Sequence, residues 1–455
     1  MNDAETSVYT VLVTGANSGL GYSICARLID EFLQTRPQSE SIHLILTTRS
    51  RSKTDSTLSQ LQTHLRNACR AAERRLPGAS LLLQRRIELQ GEQVDLCRLR
   101  DVRRLAEKLK LQSQLEDWKA KGRKIDVCIW NAGIGGWEGL NWPLAVWSVM
   151  TNWVEATTWP TYKLGSIGWV TKPQVAQKVK QDSEQNTAGD SKQDEEPPLA
   201  EVFSANVFGH FMLSHWLAPL LTVPGGSDEE KSSRIIWLSS LEAYGHTLHY
   251  QDDDIQALRN PMAYESSKRL TDTLVLTSEL PSTSNLLSSF FSPSAESAPK
   301  PKMYVSHPGI CATSIVPLPI IIYHAFLLSI YVARWLGSPW HTVSSYIGAC
   351  APVWLALASQ AQLDDEEKDG TQKGKWGSAV DRAGNERVMR TEVEGWGWKG
   401  APEDGRGKKG RYRGVVVTTK ESREELEVLG AKMWAEMMGL AKEWEERLGR
   451  VEDEA

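Results

Sequence analysis

The 455-residue chain has no CxxC pair, no internal repeat and no strong excess of either charge. Its six cysteines, Cys25, Cys69, Cys97, Cys128, Cys311 and Cys350, are scattered. That scatter argues against a zinc site and against a disulfide scaffold, and it fits a reducing compartment; no metal is expected. A formal net charge of −5 offers no basic surface from which to argue nucleic-acid binding. The opening residues, MNDAETSVYT, lack the basic and apolar regions of a secretory leader. Long apolar runs are also scarce. Residues 314–336, SIVPLPIIIYHAFLLSIYVARWL, approach membrane-spanning length, but two prolines, a histidine and a serine interrupt them.

What is present is alternation. Apolar, β-branched runs at 8–14, 42–48, about 84–90, 125–130, 234–239 and 302–307 read as strands. Stretches at 19–34, 53–75, 98–112, 200–221 and 262–279 have helical length and spacing. Strands alternating with helices predict an α/β fold, a doubly wound parallel sheet covered on both faces. The simplest organisation is one domain over 1–361, with insertions at about 135–199 and 281–300. The first insertion opens Trp-rich and ends in a polar run at 178–198 that reads as a disordered surface loop. The second is Ser/Pro-rich and reads as a loop. A charged extension, 362–455, follows; its GVVVTT segment (414–419) reads as a strand and its last residues as a helix packed back on the body.

The stretch VLVTGANSGLGYSICARLID passes from a strand into a helix through three glycines, Gly15, Gly19 and Gly21. Glycine permits left-handed dihedrals and close backbone approach. A glycine turn opening a helix leaves N–H groups that favour a pyrophosphate. The spacing is TGxxxGxG, and further motifs follow in order: Asp95-Leu96 after the third strand, Asn131-Ala132-Gly133 after the fourth, Ser239-Ser240, Tyr264-x-x-x-Lys268, and Pro308-Gly309 with Thr313 four residues on. On these residues the chain resembles the short-chain dehydrogenases/reductases over about 8–315, which implies a Rossmann-like sheet and a nicotinamide cofactor.

A ketone receiving hydride develops negative charge on oxygen and needs a proton donor. Tyr264 and Lys268 stand four apart, on one helix face, where an ammonium can lower the phenol's high pKa. The resemblance implies Tyr264 as acid/base, Lys268 as its modulator and ribose ligand, Ser240 as holder of the substrate oxygen, and Asn206 as support for a water-mediated proton path. The 24 residues between Ser240 and Tyr264 are about twice the family's usual spacing, an enlarged loop beside the pocket. Gly15, Asn17, Ser18, Gly19, Leu20, Gly21, Asn131, Tyr264, Pro308, Gly309 and Thr313 are the expected cofactor contacts, with Asp95 toward adenine. The second strand ends TTRS without an acidic residue, so Arg49 is expected on a 2′-phosphate and NADPH is preferred over NADH.

More narrowly, VLVTGANSGLGYSICARLIDEF, LTTRS, YESSKRLTD and SHPGICATSI resemble the fungal 3-keto-steroid reductases of sterol C-4 demethylation. That implies reduction of a 3-keto sterol to the 3β-alcohol, at the endoplasmic reticulum membrane or lipid droplet, beside the other demethylation enzymes. The apolar segment 314–336 then reads as a membrane-facing helix at the entrance for a lipophilic sterol ketone, with a true span or a buried lid helix as alternatives. Two other functions stay open: a reductase of another lipophilic carbonyl, of 17β-hydroxysteroid or retinoid type, and a non-catalytic scaffold of a sterol-synthesis complex.

Overall fold

The computed structural model describes residues 7–74, 77–115, 118, 124–175, 196–222, 232–244, 254–291, 300–313, 320–368, 373–402 and 408–453. Among the described residues ten strands are formed: β1 Ser7–Val13, β2 Glu40–Thr48, β3 Ile87–Gln93, β4 Val127–Trp130, β5 Trp137–Leu140, β6 Lys163–Gly165, β7 Arg234–Leu238, β8 Lys302–His307, β9 Lys375–Val380 and β10 Glu386–Thr391. Eight make one sheet in the order β10-β9-β8-β7-β4-β1-β2-β3, all neighbours parallel except β10 against β9. This is the doubly wound, Rossmann-like α/β arrangement the alternation predicts. Val11–Val13, Leu44–Leu46 and Val127–Ile129 are fully buried because helices cover both faces, so these strands read as continuous apolar runs.

The principal helices are α1 Gly19–Thr35, α2 Arg51–Glu73, α3 Leu99–Gln112, α4 Gly209–Trp216, α5 Ala263–Thr277, α6 Ile320–Trp335, α7 Cys350–Leu357 and α8 Lys420–Asp453. One core layer joins the sheet to α1 (Ile24, Leu28, Phe32), α2 (Leu61, Leu65) and α7 (Val353, Ala356). The other joins it to α3 (Val102, Leu105, Leu109), α4 (Phe211, Met212), α5 (Leu270, Leu274) and α8 (Met433, Trp434, Trp444).

The structure departs from the sequence reading in four places. The 200–221 segment is not one regular helix: a π turn, Ser204–Phe208, separates the short turn Glu201–Phe203 from α4. The 281–300 insertion holds a helix, Ser284–Phe291, that buries Leu287, Phe290 and Phe291; residues 292–299 lie outside the described ones. The GVVVTT segment forms no strand, and the extension instead supplies β9 and β10. A β-branched run becomes a strand only where a sheet edge accepts it; β9 finds that edge at β8, and Val416 stays exposed. Residues 362–455 therefore share the sheet and core of residues 1–361. Of the polar run at 178–198, residues 176–195 lie outside the described ones, and Glu196 accepts the backbone N–H groups of Gln174 (2.7 Å) and Val175 (2.9 Å).

The terminal helix docks as expected. Leu426, Met433, Trp434, Met437, Ala441, Trp444 and Leu448 recur at helical spacing and are buried. Trp434 Nε1–H donates to the Leu274 carbonyl of α5 (3.0 Å).

Candidate active site

The site lies beyond the carboxyl ends of β1 and β4, where strand order reverses and ligands of open α/β sheets bind. Gly15 and Gly19 take φ of +69° and +54°, a region closed to most side chains. A Cβ on Gly21 would sit 2.2 Å from the Gly15 carbonyl oxygen, and one on Gly15 would sit 2.8 Å from Ala132 Cα. The TGxxxGxG spacing thus folds the turn directly onto Asn131-Ala132-Gly133. Thr14 Oγ1 accepts the N–H groups of Asn131 (3.0 Å) and Ala132 (3.1 Å), and Asn131 Nδ2 donates to the Thr14 carbonyl (2.9 Å). Asn131 acts here as a lashing between β1 and β4.

The N-terminus of α1 carries no side-chain cap: Ser18 is extended, and Asn17 Nδ2 donates to its hydroxyl (3.2 Å). First-turn N–H groups without a side-chain cap suit an anion. Leu20 packs at the rim of the core under α1, and Thr313 lies 3.5 Å from the Cβ position of Gly19, over the turn. Gly309 (φ +69°) is shaped by packing, since a Cβ there would meet the Trp340 carbonyl oxygen at 2.3 Å; Pro308 accepts from Thr342 Oγ1 (3.0 Å). Asp95 Oδ1 accepts the Cys97 N–H (3.1 Å), capping its own turn. Arg49 is exposed just past β2, and its positive field reaches Cys97, so it borders the Asp95 turn. An uncapped helix start, a turn without room for Cβ atoms and a cation past β2 fit a phosphorylated dinucleotide.

The catalytic candidates converge despite the 24-residue separation. The Ser240 hydroxyl lies close enough to the Tyr264 phenol to favour its ionised form, while Ser239 Oγ donates to the Lys268 carbonyl (3.3 Å). Lys268 Nζ stands 5.6 Å from the Tyr264 ring centroid and donates to the Leu238 carbonyl (2.8 Å). Asn206, in the π turn, donates to Ser267 Oγ (2.9 Å) and holds the Ile134 backbone through both amide atoms; Ser267 Oγ donates to the Tyr264 carbonyl (2.6 Å). Residues 245–253, within the enlarged loop, lie outside the described ones.

The electrostatics differ from the sequence expectation. Burial pushes the Tyr264 phenol well above its ordinary value, the charge of Glu242 adds to this, and the Ser240 hydroxyl opposes it. Lys268, buried and beside Lys375, is itself lowered to about 8, with Asp272 opposing. Desolvation outweighs the ammonium at this distance.

Sequence reasoning missed four participants. His210, buried one turn beyond Asn206, sits 2.8 Å from Thr14 Oγ1, and burial holds it neutral at about 3. Lys163 and Trp137 come from the insertion: Trp137 meets the Tyr264 ring edge-on at 4.8 Å. Lys375 comes from β9; its Nζ donates to the Ser240 carbonyl (2.6 Å), Ser239 Oγ (3.2 Å) and Asp272 Oδ2 (2.6 Å). No motif surrounds these residues; only tertiary folding brings them here.

No protein-family model matches the chain. It is 44% identical over 473 residues to the 3-keto-steroid reductase of Aspergillus fumigatus, covering 100% of this chain and 98% of that one. It is 40% identical over 470 residues to the 3-keto-steroid reductase of Gibberella zeae, covering 96% and 94%. The Schizosaccharomyces pombe 3-keto-steroid reductase is 32% identical over 84% of this chain and 90% of its own. Among solved structures, the Pseudomonas aeruginosa RhlG/NADP complex overlaps 80% of this chain and 94% of its own at a TM-score of 0.40 and 15% identity. With full-length identity at this level in hand, the chain belongs to the 3-keto-steroid reductase family.

Proposed function

We propose that this protein reduces the 3-keto group of a sterol intermediate to the 3β-hydroxyl during sterol C-4 demethylation, with NADPH as cofactor. The observation that carries the chemistry is the convergence of Ser240, Lys268 and the Asn206–Ser267 bond on Tyr264, with Lys268 Nζ 5.6 Å from the phenol ring centroid. When bound, NADPH supplies the hydride. The first turn of α1, with Gly15, Asn17, Ser18, Gly19, Leu20 and Gly21, holds its pyrophosphate, and Thr313 closes over that turn. Tyr264 donates its proton to the ketone oxygen. Burial keeps the phenol protonated, so the donor form is fully populated near neutrality. Ser240 keeps a hydroxyl on that oxygen as charge develops there. Lys268 holds the ribose, and Asn206 keeps the α5 backbone at Tyr264 in place through Ser267. Purified protein given NADPH and a 4-methyl-3-keto sterol should consume the nicotinamide absorbance and yield the 3β-alcohol. Turnover on retinoid or 17-keto steroid substrates alone moves the reading to another lipophilic carbonyl, and none on any ketone leaves the scaffold.

The cofactor choice rests on Arg49, which follows a strand end with no acidic residue. Charge-assisted bonds to a 2′-phosphate predict that Arg49→Glu lowers kcat/KM with NADPH by about 10- to 100-fold. Activity with NADH should change little, as read by initial rates with each cofactor.

The setting we infer is a membrane surface, at the endoplasmic reticulum or a lipid droplet, where other sterol C-4 demethylation enzymes act. Among the described residues, no helix is long and apolar enough to cross a membrane. Yet α6 exposes Ile320, Ile321 (82%), Leu328 and Trp335, and the Trp-rich helix Trp142–Thr151 exposes Trp142, Val146, Trp147 (67%) and Met150 (78%). The insertion is tied to α6 by Trp153 Nε1–H donating to the Ser329 carbonyl (2.9 Å). Apolar side chains standing this far out suit a bilayer interface, and the same insertion reaches Tyr264 through Trp137. Trp147→Glu with Met150→Glu should weaken cosedimentation with phosphatidylcholine vesicles more than about tenfold, leaving the fold intact by circular dichroism.

A further inference from the structure

A second ammonium, besides Lys268, lies over the Tyr264 ring. Lys163 Nζ stands 5.3 Å from that centroid and 4.2 Å from the Trp137 centroid. It ion-pairs with both Glu242 and Glu265, and the three side chains are nearly buried. Their origins are unrelated: Lys163 from β6, Glu242 two residues after Ser240, Glu265 next to Tyr264. The Glu242 N–H donates to Ser240 Oγ (3.2 Å), so the acid is joined to the serine beside the phenol. The seat of β6 is built for this approach, since a Cβ on Gly165 would fall 1.6 Å from the Pro261 carbonyl oxygen.

Buried ion clusters seldom add net stability, because desolvation offsets their attraction. This one also fails to balance: among the described residues, one ammonium faces two carboxylates. We propose that Lys163, locked by Glu242 and Glu265, is a positioning residue for the Tyr264 phenol, and that the cluster's surplus negative charge keeps that phenol protonated, favouring ketone reduction over alcohol oxidation. This rests on the reading of Tyr264 as the proton donor. Among the described residues, the charged and titratable groups facing the phenol are Glu242, Glu265, Lys163, Lys268 and Cys311; those facing Glu242 are Lys163, Glu265 and Tyr162. Burial pushes the Glu242 carboxyl up to about 7, with Lys163 opposing. The surplus charge therefore develops as pH rises through neutrality, where it resists ionisation of the phenol.

The test is kcat, ketone KM and the pH profile of kcat for Lys163→Met, Lys163→Arg, Glu242→Gln and Tyr264→Phe, with NADPH and the 3-keto sterol. Lys163→Met should lower kcat by at least about tenfold with KM within about threefold, and Lys163→Arg should restore most of it. Glu242→Gln removes a negative charge, so the alkaline limb should move to lower pH by about one unit. An unmoved alkaline limb in Glu242→Gln overturns the proposal, and so does wild-type kcat in a folded Lys163→Met. If Lys163→Met does not fold, the Glu242→Gln profile decides alone. Wild-type turnover in Tyr264→Phe overturns the proton-donor reading itself; an inactive Tyr264→Phe with an unmoved Glu242→Gln limb overturns this inference only.

Discussion

Tyr264→Phe is expected to lower kcat for the 3-keto sterol by about 10²- to 10⁴-fold, with NADPH still bound. The substitution removes one oxygen and keeps the ring that packs edge-on against Trp137. It deletes the hydroxyl proposed as proton donor while leaving the glycine turn, which is held by Thr14, untouched. The loss should therefore appear in single-turnover rates, with the NADPH dissociation constant measured by fluorescence nearly unchanged. Equal loss of cofactor binding would place the defect in the fold and defeat the assignment. The wild-type profile has a matching signature. Burial raises the phenol, so reductase activity should persist into the alkaline range before the donor form is lost.

Lys375→Met should destabilise the protein by about 3–5 kcal/mol, because removing one member of a buried ion pair leaves the other charged and unpaired. Lys375 and Asp272 have side chains only 2% and 1% exposed, and their atoms meet at 2.6 Å. The same ammonium donates to the Ser240 carbonyl and Ser239 Oγ, so its loss also frees the backbone that aims the catalytic hydroxyl. Denaturant midpoints measure the first effect and kcat the second. The double substitution Lys375→Met with Asp272→Leu separates them: replacing the pair with apolar groups should recover most of the stability, while kcat stays low because Ser240 still lacks its anchor. Recovery of both would reduce Lys375 to a packing role.

The legible part of the site was the part encoded over short distances. The glycine turn could be read because left-handed dihedrals and missing Cβ atoms allow few residue types at Gly15, Gly19 and Gly21. Tyr264 and Lys268 could be read because helical periodicity makes four-residue spacing a statement about one face. The expected effect of Lys268 on the phenol was the step that failed. Spacing says that two groups share a face, whereas burial depth, unknowable from spacing, decides which term dominates a pKa. Ser239 Oγ donates to the Lys268 carbonyl while Ser240 Oγ accepts the Glu242 N–H, and the Asn206 segment carries a π turn that the apolar pattern at 200–221 did not reveal.

The amino-acid sequence by itself determined the alternation of strands and helices, the doubly wound sheet, the tight glycine turn and the shared helix face of Tyr264 and Lys268, since each follows from local periodicity or local steric exclusion. Tertiary structure alone decided that a charged, glycine-rich tail supplies β9, that Lys375 from that strand sits beneath Ser240, and that Lys163 from a Trp-rich insertion reaches the phenol. These placements depend on which sheet edge and which helix face were left open once the core had formed, and chain spacing carries no record of that.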